Sequence, residues 1–119
     1  MSDVNADYTI SLQTARDYAK KWRDPNHTYD RTKLHAFLIP KENLQSLLDE
    51  TPDTSVRAYI GIDEDGTPKL MIVGTKYNHQ METHDDMLPN SAAPGKIYDF
   101  TLPCPRACGY MSPLNDLTL

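Results

Sequence analysis

Hydrophobic and polar positions first recur at helical spacing over residues 10 to 24, where Leu12, Ala15, Ala19 and Trp22 fall three to four apart with Arg16, Lys20 and Arg23 between them. This is an amphipathic helix. Ser11 or Thr9 can cap its start. Asp24-Pro25 ends it, because the residue before proline is pushed out of the helical region and proline cannot donate to the preceding turn. The stripe predicts that Trp22 is largely buried between this helix and a sheet. After a polar loop through Arg31 comes Leu34-His35-Ala36-Phe37-Leu38-Ile39, apolar at nearly every position, as in a central strand covered on both faces. Pro40 and Lys41 open a second, one-sided helix carrying Leu44, Leu47 and Leu48, which must end before Pro52.

Alternation takes over at Val56, Ala58, Ile60 and Ile62, with Arg57, Tyr59 and Gly61 between them, so the pattern predicts a strand whose core face is the Val56 set. Asp63-Glu64-Asp65-Gly66-Thr67-Pro68 supplies turn chemistry before Lys69-Leu70-Met71-Ile72-Val73-Gly74, the returning strand of a hairpin. No periodicity organises Tyr77 to Gly95. A connection that long is usually functional or mobile, which makes it the segment expected to be least protected. Lys96 to Leu102 reads as a last strand, and Pro103 to Leu119, with three prolines, as ordered coil. The sum is a single α+β domain over residues 1–119: a mainly antiparallel sheet of about four strands, two helices packed on one face, and a Pro-rich C-terminal coil.

Size and charge narrow what such a domain can be. At 119 residues about two-thirds of the unfolded surface can be buried, so neither metal nor disulfide is needed for a core. The longest apolar runs are four residues, too short to cross a bilayer. A formal net charge of −5 argues against a nucleic-acid partner. The N-terminus carries acids where a signal peptide carries bases, and two cysteines are too few for a disulfide scaffold, so a cytoplasmic location is expected. Charge is segregated: residues 16 to 33 are locally +3 and residues 41 to 65 locally −5. The basic segment reads as a solvated helix face, with an anion-binding patch near Trp22 and Arg23 as the sharper alternative.

Candidate chemistry concentrates in Cys104-Pro-Arg-Ala-Cys108. On a helical turn, residues four apart lie about 6 Å from each other, within disulfide range. The pair can therefore be structural, redox-active or metal-ligating. Pro103 and Pro105 restrict the backbone around Cys104 and favour the structural role, while Arg106 could favour a thiolate. His79 and His84 would complete a tetrahedral zinc set with Cys104 and Cys108, although the spacing follows no recognised zinc motif. Glu82, Asp85 and Asp86 beside them form an acidic loop. Asp63-Glu64-Asp65-Gly66 lacks the further acids of a calcium loop and reads as a turn. His35, inside an apolar strand, reads as a satisfied core histidine. No phosphate loop, nucleophile elbow or catalytic triad order is present, and no cofactor is implied.

Val56-Arg-Ala-Tyr-Ile-Gly-Ile-Asp, Lys69-Leu-Met-Ile-Val-Gly, Tyr98-Asp-Phe-Thr-Leu-Pro-Cys-Pro-Arg-Ala-Cys and Ser112-Pro-Leu-Asn115, with Phe37-Leu-Ile-Pro-Lys, resemble a group of small uncharacterised proteins of Bacteroidetes-type bacteria. The resemblance implies a small intracellular α+β domain whose Pro-Cys-Pro tail belongs to the fold, and no activity with it. The functional expectation is a small, non-enzymatic cytoplasmic binding or adaptor domain that meets a protein or small ligand through residues 76 to 95 and the tail. Two alternatives stand beside it: a thiol-redox or metal-binding protein using Cys104 and Cys108, and an acidic inhibitor of a basic protein partner.

Overall fold

The computed structural model describes residues 9–27, 29–50 and 55–118. Strand β1 is Thr9–Ile10, helix α1 Leu12–Arg23, a short 3-10 turn Arg31–Lys33, β2 Ala36–Leu38, α2 Lys41–Glu50, β3 Val56–Ile62, β4 Pro68–Asn78, β5 Thr83–Asp86, β6 Ile97–Tyr98 and β7 Leu102–Cys104. The main sheet runs β1-β6-β4-β3, with β5 also paired to β4, and β2 and β7 form a separate two-stranded ribbon. All pairings are antiparallel. The α+β class holds, with more strands than expected. Among the described residues no helix is long and apolar enough to cross a membrane.

The expected hairpin forms, with Val56 opposite Gly74 through Ile62 opposite Pro68. Asp63 makes its turn: the carboxylate accepts from the Asp65 and Thr67 amides, and Gly66 takes a left-handed φ of 81°. Nothing in this turn departs from ordinary hairpin chemistry.

The helices do not share a face. Ala15 and Tyr18 of α1 pack with Met71, Val73 and Ile97, whereas Leu47 of α2 packs with Ile72, Tyr98 and Phe100. Residues 71 and 73 point to the opposite side from residue 72, so β4 is sandwiched and each helix buries one of its faces. This corrects the one-face arrangement, and it also changes β3, where of the expected core set only Ile62 is buried. Helix α1 lies over Tyr59 and Gly61, where the missing side chain admits the Tyr18 backbone, and Val56, Ala58 and Ile60 are left exposed.

Three further expectations change. Tyr18, not Trp22, is the aromatic residue between α1 and the sheet. Trp22 sits on the last helical turn, half-buried under the following loop: His27 stacks on it at 5.7 Å and the Arg31 guanidinium lies 4.8 Å above the ring. The apolar run at residues 34–39 is not a central strand. Among the described residues only β7 pairs with it, and Leu38 remains 52% exposed. The stretch from Tyr77 to Gly95 is partly ordered pairing, since β4 continues to Asn78 and returns through β5. The Asn78 carboxamide accepts from the amides of Gln80 and Met81, and Glu82 takes a positive φ of 55°, which together close the turn.

Candidate thiol and disulfide site

The β2–β7 ribbon sets the geometry of the cysteines. Ala36 lies opposite Cys104, and the His35 amide donates to the Cys104 carbonyl at 2.8 Å, bringing the imidazole alongside the first sulfur. Beyond β7 the chain turns back on itself, with the Ala107 amide donating to Pro103 O at 2.9 Å and the Cys108 amide to Arg106 O at 2.8 Å. The turn brings the two cysteine Cα atoms to 4.7 Å, and the sulfurs are joined as a disulfide. The two sulfurs differ in access. Cys104 is 2% exposed, whereas Cys108 is only partly covered.

The tail completes the site. Turns at Ser112, whose carbonyl accepts from the Asn115 and Asp116 amides, fold residues 109–118 back over the ribbon. Asn115 Oδ1 then lies 2.7 Å from His35 Nδ1 and 3.3 Å from Cys104 Sγ. With Nδ1–H donating to the carboxamide, His35 presents Nε2 as its basic nitrogen. One imidazole nitrogen and both sulfurs lie within 4.8 Å of one another. A cavity of about 370 Å³ opens over this group, lined among others by His35, Ala36, Cys108, Leu114 and Asn115. Its surroundings are apolar and open, with Leu102 exposed at the ribbon and Met111, Leu114 and Leu117 exposed along the tail.

The site residues expected from the sequence are divided by the fold. Cys104 and Cys108 come together, but their imidazole neighbour is His35, which is exposed rather than buried in a core strand. His79 and His84 sit against Tyr77 at ring distances of 4.7 and 5.0 Å in the β4–β5 hairpin, and they belong to no ligand cluster with the cysteines among the described residues. The four-residue zinc set is therefore not assembled. Arg106 is exposed and lines a different cleft with Lys33, Pro103 and Pro105. Asp85 is bound by Asn78 and Thr83, while Asp86 is bound by Arg57 and Tyr59, so the acidic loop does not converge on a cation.

His35 reads from the sequence as a core histidine, and Asn115 carries no site signal of its own there. Eighty positions separate them, and only the ribbon and the folded tail unite them. The signal available was weak: a histidine flanking an apolar run, and Ser112-Pro-Leu-Asn115 as a compact turn.

Protein-family models, curated proteins and solved structures yield no match to this chain. Function therefore rests on the site's chemistry.

Proposed function

We propose that this protein is a small thiol–disulfide exchange protein whose working pair is Cys104 and Cys108. The observation that supports it is the unequal burial of the two sulfurs beside a histidine held by Asn115. Exchange requires a thiolate to approach one sulfur along the S–S axis, and the partly exposed Cys108 Sγ is the accessible target. A dithiol partner attacks it through one thiolate. The Cys104–Cys108 bond breaks as a Cys108–partner mixed disulfide forms, and Cys104 departs with the electron pair and takes a proton. The partner's second thiolate then attacks its own mixed-disulfide sulfur, releasing Cys108 as a thiolate that is protonated. Two partner thiols have become one disulfide, and one protein disulfide has become two thiols, so the electrons balance. Run in reverse, a disulfide substrate is reduced.

His35 suits the proton transfers because its Nδ1 is engaged and its other ring nitrogen is free to accept or return a proton. Asn115 acts as a positioning residue, holding the ring and offering its oxygen to a Cys104 thiol. The binding-domain reading based on residues 76 to 95 has less support, because much of that segment is a paired hairpin.

The decisive experiment compares dithiothreitol reduction of the native disulfide with that of the urea-unfolded chain, together with trapping by single-cysteine variants. Native reduction faster than unfolded, with Cys104→Ser retaining a mixed disulfide on Cys108 and Cys108→Ser retaining little, supports exchange. A native disulfide that resists reduction and variants that trap nothing would make the bridge purely structural.

One observation favours a second reading for the reduced state. Once reduced, the two sulfurs must open from bonding distance to the separation of about 3.5–4 Å found around zinc, while the imidazole nitrogen, within 4.8 Å of both, needs little movement. Tight, stoichiometric zinc binding by the reduced protein, lost on oxidation, would favour metal binding over exchange.

A further inference from the structure

A second cavity shares no lining residue with the one over the disulfide. Along one flank of α1, Ala15 and Ala19 face Met71, Val73 and Ile97 across a cavity of about 200 Å³. Two features create it. Alanine side chains are too small to fill the space between helix and sheet. Nor can the helix settle lower, because Tyr18 already touches β3 at Gly61: a Cβ there would lie 2.7 Å from Tyr18 Cβ. An apolar cavity of about 150 Å³ is roomy enough to take benzene, so this one has space for a single ring with a short chain.

The walls are apolar, but the rim is not. Arg16 and Arg23 stand on the same flank, about 10 Å apart along the helix axis, and both border the cavity. Neither guanidinium makes an ion pair or hydrogen bond with another described residue. The one acid on the opposite wall, Asp86, is already engaged: Arg57 holds it at 2.5 Å and the Tyr59 hydroxyl donates to its other oxygen. Two uncompensated guanidinium groups thus border an apolar hole in a chain whose net charge is −5.

The geometry points to this cavity as a binding site for a small arylalkyl or short alkyl carboxylate. The apolar body fills the space over Ala15 and Ala19, and the carboxylate meets Arg16 and Arg23. Guanidinium groups match a carboxylate in both charge and hydrogen-bond geometry, and a mostly apolar pocket with a few polar anchors is the usual form of a small-molecule site. The order of binding follows from the rim: carboxylate first, neutral alcohol weaker, amine weakest.

The test is an amide chemical-shift titration with hydrocinnamate, its alcohol and its amine. Hydrocinnamate is expected to shift Ala15, Ala19, Val73 and Leu88 in saturable fashion. The double variant R16Q/R23Q should weaken hydrocinnamate about ten-fold, as loss of two exposed charge-assisted contacts implies, and leave the alcohol unchanged. Ala19→Leu, which fills the hole, should abolish both. The arginine variant leaves the packing intact and carries the test if Ala19→Leu fails to fold. Equal binding of acid, alcohol and amine, shifts confined to another surface, or no saturable shift at millimolar hydrocinnamate would each overturn the assignment.

Discussion

Replacing Gly61 with alanine tests the placement of α1 most directly. The added Cβ would lie 2.7 Å from Tyr18 Cβ, 2.8 Å from Met71 Cε and 3.0 Å from the Tyr18 carbonyl carbon. Met71 Cε ends a flexible side chain and can swing aside. The two Tyr18 atoms belong to the helix itself, so relief requires α1 to lift off the sheet by several tenths of an ångström. That lift loosens Ala15 and Tyr18 against Met71 and Val73. Overpacking of this kind costs about 1–3 kcal/mol. Gly→Ala returns about 0.4–1 kcal/mol through the unfolded chain's entropy. The net expectation is a loss of about 1–2 kcal/mol, read as a lower urea midpoint with an unchanged slope in melts followed by far-UV circular dichroism. Gly66→Ala is an informative contrast, because nothing lies within 4 Å of its would-be Cβ and its φ of +81° makes the cost one of backbone conformation. A Gly61→Ala protein as stable as the parent, or more stable, would refute the packing of α1 on β3.

Other outcomes follow from the same structure. Asp99 is pushed above the usual carboxylate range by burial, with Lys69 opposing from 3.4 Å. Its neutral form is therefore favoured by folding: the stability it contributes is fully present below the unfolded pKa and is lost as pH rises through the raised folded value. Asp99→Asn should match the parent in acid and exceed it near neutrality, measured as the difference between their urea midpoints across that range. Trp22→Ala should cost about 1–2 kcal/mol in urea melts, less than the 3–5 kcal/mol of a fully buried aromatic, because loop residues rather than the sheet cover the ring. Hydrogen exchange should be slow at Met87, which donates to Gly74 O, and fast at residues 90–92; uniform labelling from 77 to 95 would contradict the β4–β5 pairing. Asn115→Ala should slow dithiothreitol reduction and alter its pH profile, while Asn115→Asp, which keeps the acceptor oxygen, should restore much of the rate.

How much of this was legible in the sequence depends on the range of the interactions involved. Both helices, the hairpin and the Asp63 turn follow from local signals: a capping serine, prolines at helix ends, alternation around a Gly-containing turn. The side of the sheet that each helix takes was not legible, because β3 offers two usable faces. Val56, Ala58 and Ile60 make the more apolar one by composition, yet Gly61 makes the other one closer. That preference appears only when Tyr18 is known to lie opposite. For the site, the cysteine pair announced itself through spacing. His35 and Asn115 did not, since their roles arise from a ribbon and a folded tail that join distant parts of the chain. His79 and His84 had the right chemistry in the wrong hairpin.

β5 and β6 pair with the same edge of β4, first at Thr75 to Asn78 and then at Ile72 and Val73, and the chain between them leaves that edge and returns to it. The base of this excursion is constrained: Leu88 packs against the α1 core, and a Cβ on Gly95 would lie 2.6 Å from Met87 Cβ. Its tip is not. Asn90, Ser91 and Ala92 are exposed, and Asn90 already takes a left-handed turn at φ 60°. A foreign peptide spliced between Ser91 and Ala92 would give up the Ser91 contact to Ala93 O but extend the detour beyond both pairing registers. This tip is therefore a natural display position for an epitope or affinity tag.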